Sequence, residues 1–333
     1  MEIEKRKPFM LALKGMAMGM AEVVPGVSGG TIAFITGIYE KLIDSIKSFD
    51  GKAIQLLFSG RWKALWDHVN GSFLLTLMIG MLGGVVIGVF GISHLMETRP
   101  EMLWAFFFGL IIASAIYVGK QVKKWNVSVI ALLVIGALLA FWITQVTPTE
   151  ASTNPLYVFL CGMIAISALI LPGISGSFIM LLMGMYTVII PMLKSLIKDL
   201  DFSVLGTLSI FGIGCIVGLL TFSRVMSWMF KNYSDQTLGL LSGFMIGSLF
   251  KIWPWRNPDS WMDNSGKLMN ADQVAQLPES MTEHIRIISE LNVMPSQYSA
   301  GNPQTILVIV SAVVGFAIVF LLDRYVGGDT PAG

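Results

Sequence analysis

The sequence predicts an all-α polytopic membrane protein, an inverted repeat with about six transmembrane helices and two re-entrant helical hairpins. Three observations carry that expectation. The 333 residues are 54% hydrophobic and 13% charged, with a mean hydropathy of +0.72, which leaves too little charged surface for a soluble chain of this length. Several stretches stay apolar for about 17–22 residues, enough to cross roughly 30 Å of hydrocarbon as helix. Finally, PGVSGGTIAFITGIYEKLIDSIKS (Pro25–Ser48) aligns without gaps on PGISGSFIMLLMGMYTVIIPMLKS (Pro172–Ser195), at an offset of 147 residues.

Taken in order, the elements are these. Lys5, Arg6 and Lys7 precede an apolar segment at 9–23. A basic start before an apolar run resembles a secretory leader, but Lys14 interrupts the run and a retained membrane helix is expected. A Pro-Gly break separates 9–23 from a helix at 31–47, and a second separates 156–171 from 175–193. Short, interrupted apolar segments in corresponding places of two halves point to a transporter-type binding site. The six expected spans are 72–94, 102–119, 127–146, 203–223, 237–253 and 304–322. The first repeat then occupies 1–150 and the second 151–333, with an extracytoplasmic loop at 256–303.

Parity sets the orientation. Each hairpin returns to its own side and three spans follow it, so the second half is inverted relative to the first. Lys47, Lys52, Arg61 and Lys63, then Lys120, Lys123 and Lys124, then Arg224 and Lys231 all fall on the side of the N-terminus. By the positive-inside rule that side is cytoplasmic, and so are both termini. Gly84-x-x-x-Gly88 and Gly214-x-x-x-Gly218 match across the halves and read as helix-packing faces.

The paired turns carry the chemistry. Broken backbone is tolerated at membrane depth only where it is buried in protein or lines a polar cavity. Pro25 removes a donor and ends the incoming helix. Gly26, Gly29 and Gly30 allow close backbone approach, and Ser28 and Thr31 are suited to cap the helix that follows. Pro172, Gly173, Ser175, Gly176 and Ser177 repeat the pattern. Each turn is therefore expected to aim a helix N-terminus, with free N–H groups, at an anion near the midplane. The competing reading is that these are kinks for tight helix packing.

Single charges beside the turns carry competing readings. Glu22 lies three residues before Pro25 and is a proton-coupling candidate. Its alternatives are a pair with Lys14 or a place at the membrane surface. Arg224 either grips a phosphate bidentately or anchors the end of a span. Lys251 reads as a lysine snorkelling to the interface, and His94 as an interfacial residue.

Other classes lack their signatures. His68, His94 and His284 are too scattered for a metal set, and there is no P-loop and no nucleophile elbow. Cys161 and Cys215 have no paired spacing and read as buried thiols. A net charge of +1, without basic clusters, gives no support for nucleic acid. A non-enzyme without cofactor or metal is expected.

AEVVPGVSGGTIAFITGIYEKLI and ALILPGISGSFIMLLMGMY, with FSRVMSWMFKNY (Phe222–Tyr233) and GSLFKIWPW (Gly247–Trp255), resemble a bacterial and archaeal membrane family once catalogued as a domain of unknown function. That family is now assigned to undecaprenyl-phosphate translocation under the name PopT. The resemblance covers nearly the whole chain, and the doubled PG-x-SG turn is its most specific feature. It implies a bacterial cytoplasmic-membrane carrier that returns a C55 lipid phosphate to the cytoplasmic leaflet for cell-envelope polymer synthesis. The residues it places at the lipid phosphate are Pro25 to Thr31 and Pro172 to Ser177, with Arg224 as a helper and Glu22 as a proton carrier. A small-anion channel or transporter using the same helix tips is the alternative. A membrane enzyme acting on polyprenyl phosphates would need an acid–base set that the sequence lacks beyond Glu22.

Overall fold

The computed structural model describes residues 2–24, 27–146, 149, 152–262, 268–270, 273–274, 276 and 286–326. It is mostly helical. The helices are α1 (Glu2–Glu22), α2 (Gly29–Ile35), α3 (Tyr39–Lys47), α4 (Gly51–Phe58), α5 (Trp62–His68), α6 (Gly71–Thr98) and α7 (Pro100–Lys120). They continue with α8 (Val127–Gln145), α9 (Pro155–Ile170), α10 (Gly176–Leu182), α11 (Tyr186–Lys198), α12 (Leu205–Asn232), α13 (Ser234–Ser248) and α14 (Thr305–Val326).

Six full spans were expected. Among the described residues four helices are long and apolar enough to cross a membrane: Gly71–Met96, Pro100–Lys120, Val127–Gln145 and Phe202–Asn232. A fifth is reached if the bent pair α10–α11 counts as one span. Of the remaining two, α13 has 15 residues, about 22 Å at 1.5 Å per residue. Helix α14 runs for 22 residues, and its described side chains, Thr305–Leu321, form one apolar stretch.

Both motif helices are broken where one continuous helix was expected. Gly37 (φ 70°) separates α2 from α3, and Gly184 (φ 68°) separates α10 from α11. A side chain is strained at such angles, so glycine ends one helix and starts the next. The second pair bends by 110°. The two short helices start and stop 147 residues apart, at the offset of the sequence match.

Glycines set the helix packing. Gly15 and Gly19 of α1 lie against the Leu77 and Met81 carbonyls of α6, while Gly80 and Gly84 of α6 lie against the Ala12 and Met16 carbonyls of α1. At each position an added Cβ would collide with backbone. Gly214 and Gly218 of α12 meet Phe159 and Met163 of α9 in the same way, so the paired Gly-x-x-x-Gly motifs are packing faces. The other large pairings cross between halves. Gly109 of α7 backs onto Ala312 of α14, and Gly243 and Gly247 of α13 back onto Leu133 and Ala137 of α8. Helices α7 and α13 also touch each other.

Two expected loops hold secondary structure among their described residues. The 47–70 stretch holds α4 and α5, with Asp50 capping α4 by accepting from the Ala53 N–H at 3.0 Å. The 256–303 stretch was expected to be a loop in an all-α protein. It forms an antiparallel sheet in the order β2-β1-β3, from β1 (Arg256–Met262), β2 (Leu268–Asn270) and β3 (Arg286–Asn292). Side chains tie the sheet to the helices. The Trp253 indole donates to the Val293 carbonyl at 2.8 Å, and the Asn292 amide donates to the Phe250 carbonyl at 2.7 Å. Arg256 pairs with Glu290 across the strands at 2.7 Å and lies 4.3 Å over the Trp104 ring.

Candidate functional site

The two turns meet. Ser28 is extended (φ −114°, ψ 128°) and caps α2, its Oγ accepting from the Gly30 N–H at 3.1 Å. The same hydroxyl donates to the Leu171 carbonyl at 3.0 Å, across 143 residues of chain. In return the Gly173 N–H donates to Thr31 Oγ1 at 3.0 Å. Gly30 lies so close to the Ile170 carbonyl that a side chain would not fit. Gly173 (φ 85°) turns the second loop while resting against the Met245 backbone of α13. Ser28, Thr31 and Ser175 are buried. Small residues and hydroxyls at these positions thus let two interrupted backbones satisfy each other. Pro25 and Gly26 lie outside the described residues.

The two helix tips differ in what their amides do. At α2 the expectation of free donors is corrected. The Gly29 N–H donates to Glu22 Oε1 at 2.7 Å, the Gly30 N–H to Ser28 Oγ, and the Thr31 N–H to the Ser28 carbonyl at 3.0 Å. A carboxylate already sits where an anion would. At α10 the residue matching Glu22 is Leu169, whose Cβ packs against Gly176. The Gly176 and Ser177 N–H groups have no acceptor among the described residues. Ser175 Oγ and Ser177 Oγ share a hydrogen bond of 2.9 Å, and Phe178 N–H reaches Ser175 Oγ at 3.5 Å.

The charged candidates separate. Glu22 is at the junction, and it is not paired with Lys14, whose Nζ donates to the Thr36 carbonyl at the end of α2 at 2.6 Å. Arg224 is not drawn to the turns by any bond. Its guanidinium donates to the Leu220 carbonyl at 2.6 Å and the Phe49 carbonyl at 3.2 Å, beyond the far end of α3. There it joins a polar set in which Ser227 donates to Asp44 at 2.8 Å and Lys47 donates to Ser227 at 3.0 Å. The span-anchoring reading of Arg224 fits these contacts better than a phosphate grip.

The Lys251 ammonium, expected to snorkel to the interface, lies 4.9 Å over the ring of Phe178, in the first turn of α10 and next to Ser177 in sequence. Its sequence signal was a lysine set between the apolar run GSLF and the aromatic IWPW.

A helical, membrane-type chain whose interrupted helices join at buried Gly/Ser turns belongs to the general class of polytopic transport proteins. More narrowly, the chain belongs to the VCA0040-like family, described as undecaprenyl phosphate translocase-like, whose model matches residues 18–269. A curated relative from Vibrio cholerae serotype O1, named polyprenyl-phosphate transporter, is 40% identical over 313 residues, covering 94% of this chain and 95% of its own. A relative of the same name from Staphylococcus aureus is 34% identical over 256 residues, covering 73% of this chain and 85% of its own. No solved structure matches the chain.

Proposed function

We propose that the chain moves undecaprenyl phosphate from the outer to the cytoplasmic leaflet by alternating access, as an inverted repeat whose two turns form the headgroup site. The observation that carries this reading is the asymmetric junction. One tip is occupied by the chain's own carboxylate, and the other presents two N–H groups without an acceptor among the described residues, beside two serine hydroxyls. The phosphate binds first at Gly176 and Ser177, with Ser175 donating and Lys251 supplying charge from beyond Phe178. Charge-assisted bonds of this kind are roughly twice as strong as neutral ones.

Rearrangement of the junction then passes the headgroup to Gly29, Gly30 and Thr31, displacing Glu22. A protonated Glu22 yields the Gly29 N–H more readily than an ionised one, so a proton taken up by Glu22 couples to the step. The polyprenyl tail keeps to apolar surroundings throughout. The family and the two curated relatives support the substrate class.

The test is reconstitution in liposomes with labelled undecaprenyl phosphate confined to one leaflet. Ser175→Ala with Ser177→Ala should slow translocation about tenfold or more, from the loss of roughly 1.5 kcal/mol or more of charge-assisted bonding. Translocation at the unaltered rate in a correctly folded double variant would remove the site from consideration.

A further inference from the structure

A second lipid-facing feature lies away from the turns. An open-sided cavity of about 460 Å³ is cut between α7, α8 and α13, within the ~300–1,000 Å³ range of ligand sites. Its walls are aliphatic, led by Ile116 of α7, Leu133 of α8 and Ile246 of α13. Gly119 leaves the space in front of the Trp125 indole open, since a Cβ there would stand 3.6 Å from the ring. Two polar groups break the apolar lining. The Lys120 ammonium stands at the C-terminal end of α7, 5.0 Å over the Phe320 ring and forming no ion pair among the described residues. Ser242 is buried in the wall, and its Oγ has no hydrogen-bond partner among the described residues.

Ser114 and Ser248, on the same two helices, bond back to carbonyls of their own helix at 2.7 and 2.8 Å. Ser242 does not, and buried hydroxyls are rarely left without a partner.

We infer that this crevice holds the isoprenoid chain of the substrate in the leaflet on the Lys120 side, with the phosphate against the Lys120 ammonium. The inference rests on the transport reading above and names where the lipid docks on its way to or from the turns. Three features favour a polyprenyl phosphate over an ordinary membrane lipid. The crevice is an apolar opening between three helices, with room for a segment of one hydrocarbon chain. The charged side chain in its lining is Lys120, and Lys123 and Lys124 follow in the turn after α7, where their N–H groups engage the Asp235 carboxylate at 2.9 and 3.0 Å. The free Ser242 hydroxyl can donate weakly to the π face of an isoprene double bond, which a saturated acyl chain lacks.

The test uses the full-length protein in phosphatidylethanolamine–phosphatidylglycerol liposomes, irradiated with a polyprenyl phosphate carrying a diazirine in its chain. Adducts should concentrate in peptides containing Ile116 and Ile246, and unlabelled polyprenyl phosphate should compete them away. Filling the slot from its exposed side with Ile116→Trp, or with Gly119→Leu, should lower adduct yield about tenfold, as should Lys120→Gln. Adducts spread evenly over the lipid-facing helices, or competed equally by saturated phosphatidic acid, would overturn the inference. So would an unchanged yield in both slot-filling variants. Translocation by the unaltered protein is measured in the same liposomes. Transport without adducts in the crevice overturns the docking site alone, and crevice adducts without transport overturn the carrier reading alone.

Discussion

At the scale of single residues, the junction turns on Glu22. Its carboxylate is the internal occupant of the α2 tip, bonded to the Gly29 N–H at 2.7 Å. Glu22→Gln keeps the acceptor oxygen and removes the charge. Translocation by the Gln variant should therefore lose its dependence on pH, whereas the unaltered protein should run faster as pH falls and the carboxyl is neutralised. Initial rates in liposomes from about pH 6 to 8, spanning the physiological range, check this, and an equally steep profile in both proteins would remove Glu22 from the coupling step. Thr31→Val tests the joint itself. It leaves the Gly173 N–H without its acceptor in a buried place, at a cost of about 1–3 kcal/mol, read as a lower unfolding temperature in detergent. Glu22 was legible in the sequence because a carboxylate before a Pro-Gly break in an apolar run has few structural excuses. Lys251 was not, because a lysine near the end of an apolar run reads as a snorkelling residue, and only the fold shows it over Phe178.

At the scale of elements, packing glycines and spare glycines can be told apart. On α6, Gly84 touches the Met16 backbone, while nothing lies within 4 Å of a Cβ built on its neighbour Gly83. Gly84→Ala should destabilise the protein by about 1–3 kcal/mol through overpacking. Gly83→Ala should be neutral or stabilising by about 0.5–1 kcal/mol, the usual helix gain over glycine. Thermal unfolding of both variants in one detergent decides it, and equal effects would deny that α1 and α6 touch at Gly84.

Helix α4 offers a second test. Asp50 is held below the ordinary carboxylate range, first by the Ala53 N–H and then by His68. A depressed carboxylate stabilises above its unfolded pKa, and that contribution fades as pH falls through its folded value. Hydrogen exchange at Ala53 should therefore quicken below about pH 4 beyond the chemical trend, and Asp50→Ala should show the quick rate already at neutral pH. The two turns and most long helices were readable from Pro-Gly breaks and apolar runs. The sheet was not, because β2 has three residues, β1 carries Pro258 beside register shifts, and neither long strand alternates cleanly. Helices α4 and α5 escaped because seven or eight residues are too few to show a period.

At the scale of the whole molecule, the contacts are those of an intertwined pair of halves. Gly109 of α7 packs on α14, and its sequence counterpart Gly243 of α13 packs on α8. Each half thus lends its middle helix to the last helix of the other. The inverted repeat proposed above predicts this exchange, and its axis in the membrane plane adds a requirement on topology. The connection after α3 and the connection after α11, matched by the repeat, must then face opposite sides of the membrane. Ser59 and Ser203 stand in these two connections and both are exposed, so a cysteine at either reports its side with little change of shape. The native thiols are poor competitors, Cys161 being buried and Cys215 half-buried. A membrane-impermeant thiol reagent applied to intact cells should label Ser203→Cys and spare Ser59→Cys until the membrane is opened. Labelling of both from outside, or of neither, would make the repeat parallel, and two parallel hairpins would approach the junction from one face. The handover of a headgroup from Gly176 to Gly29 would then have no direction across the bilayer.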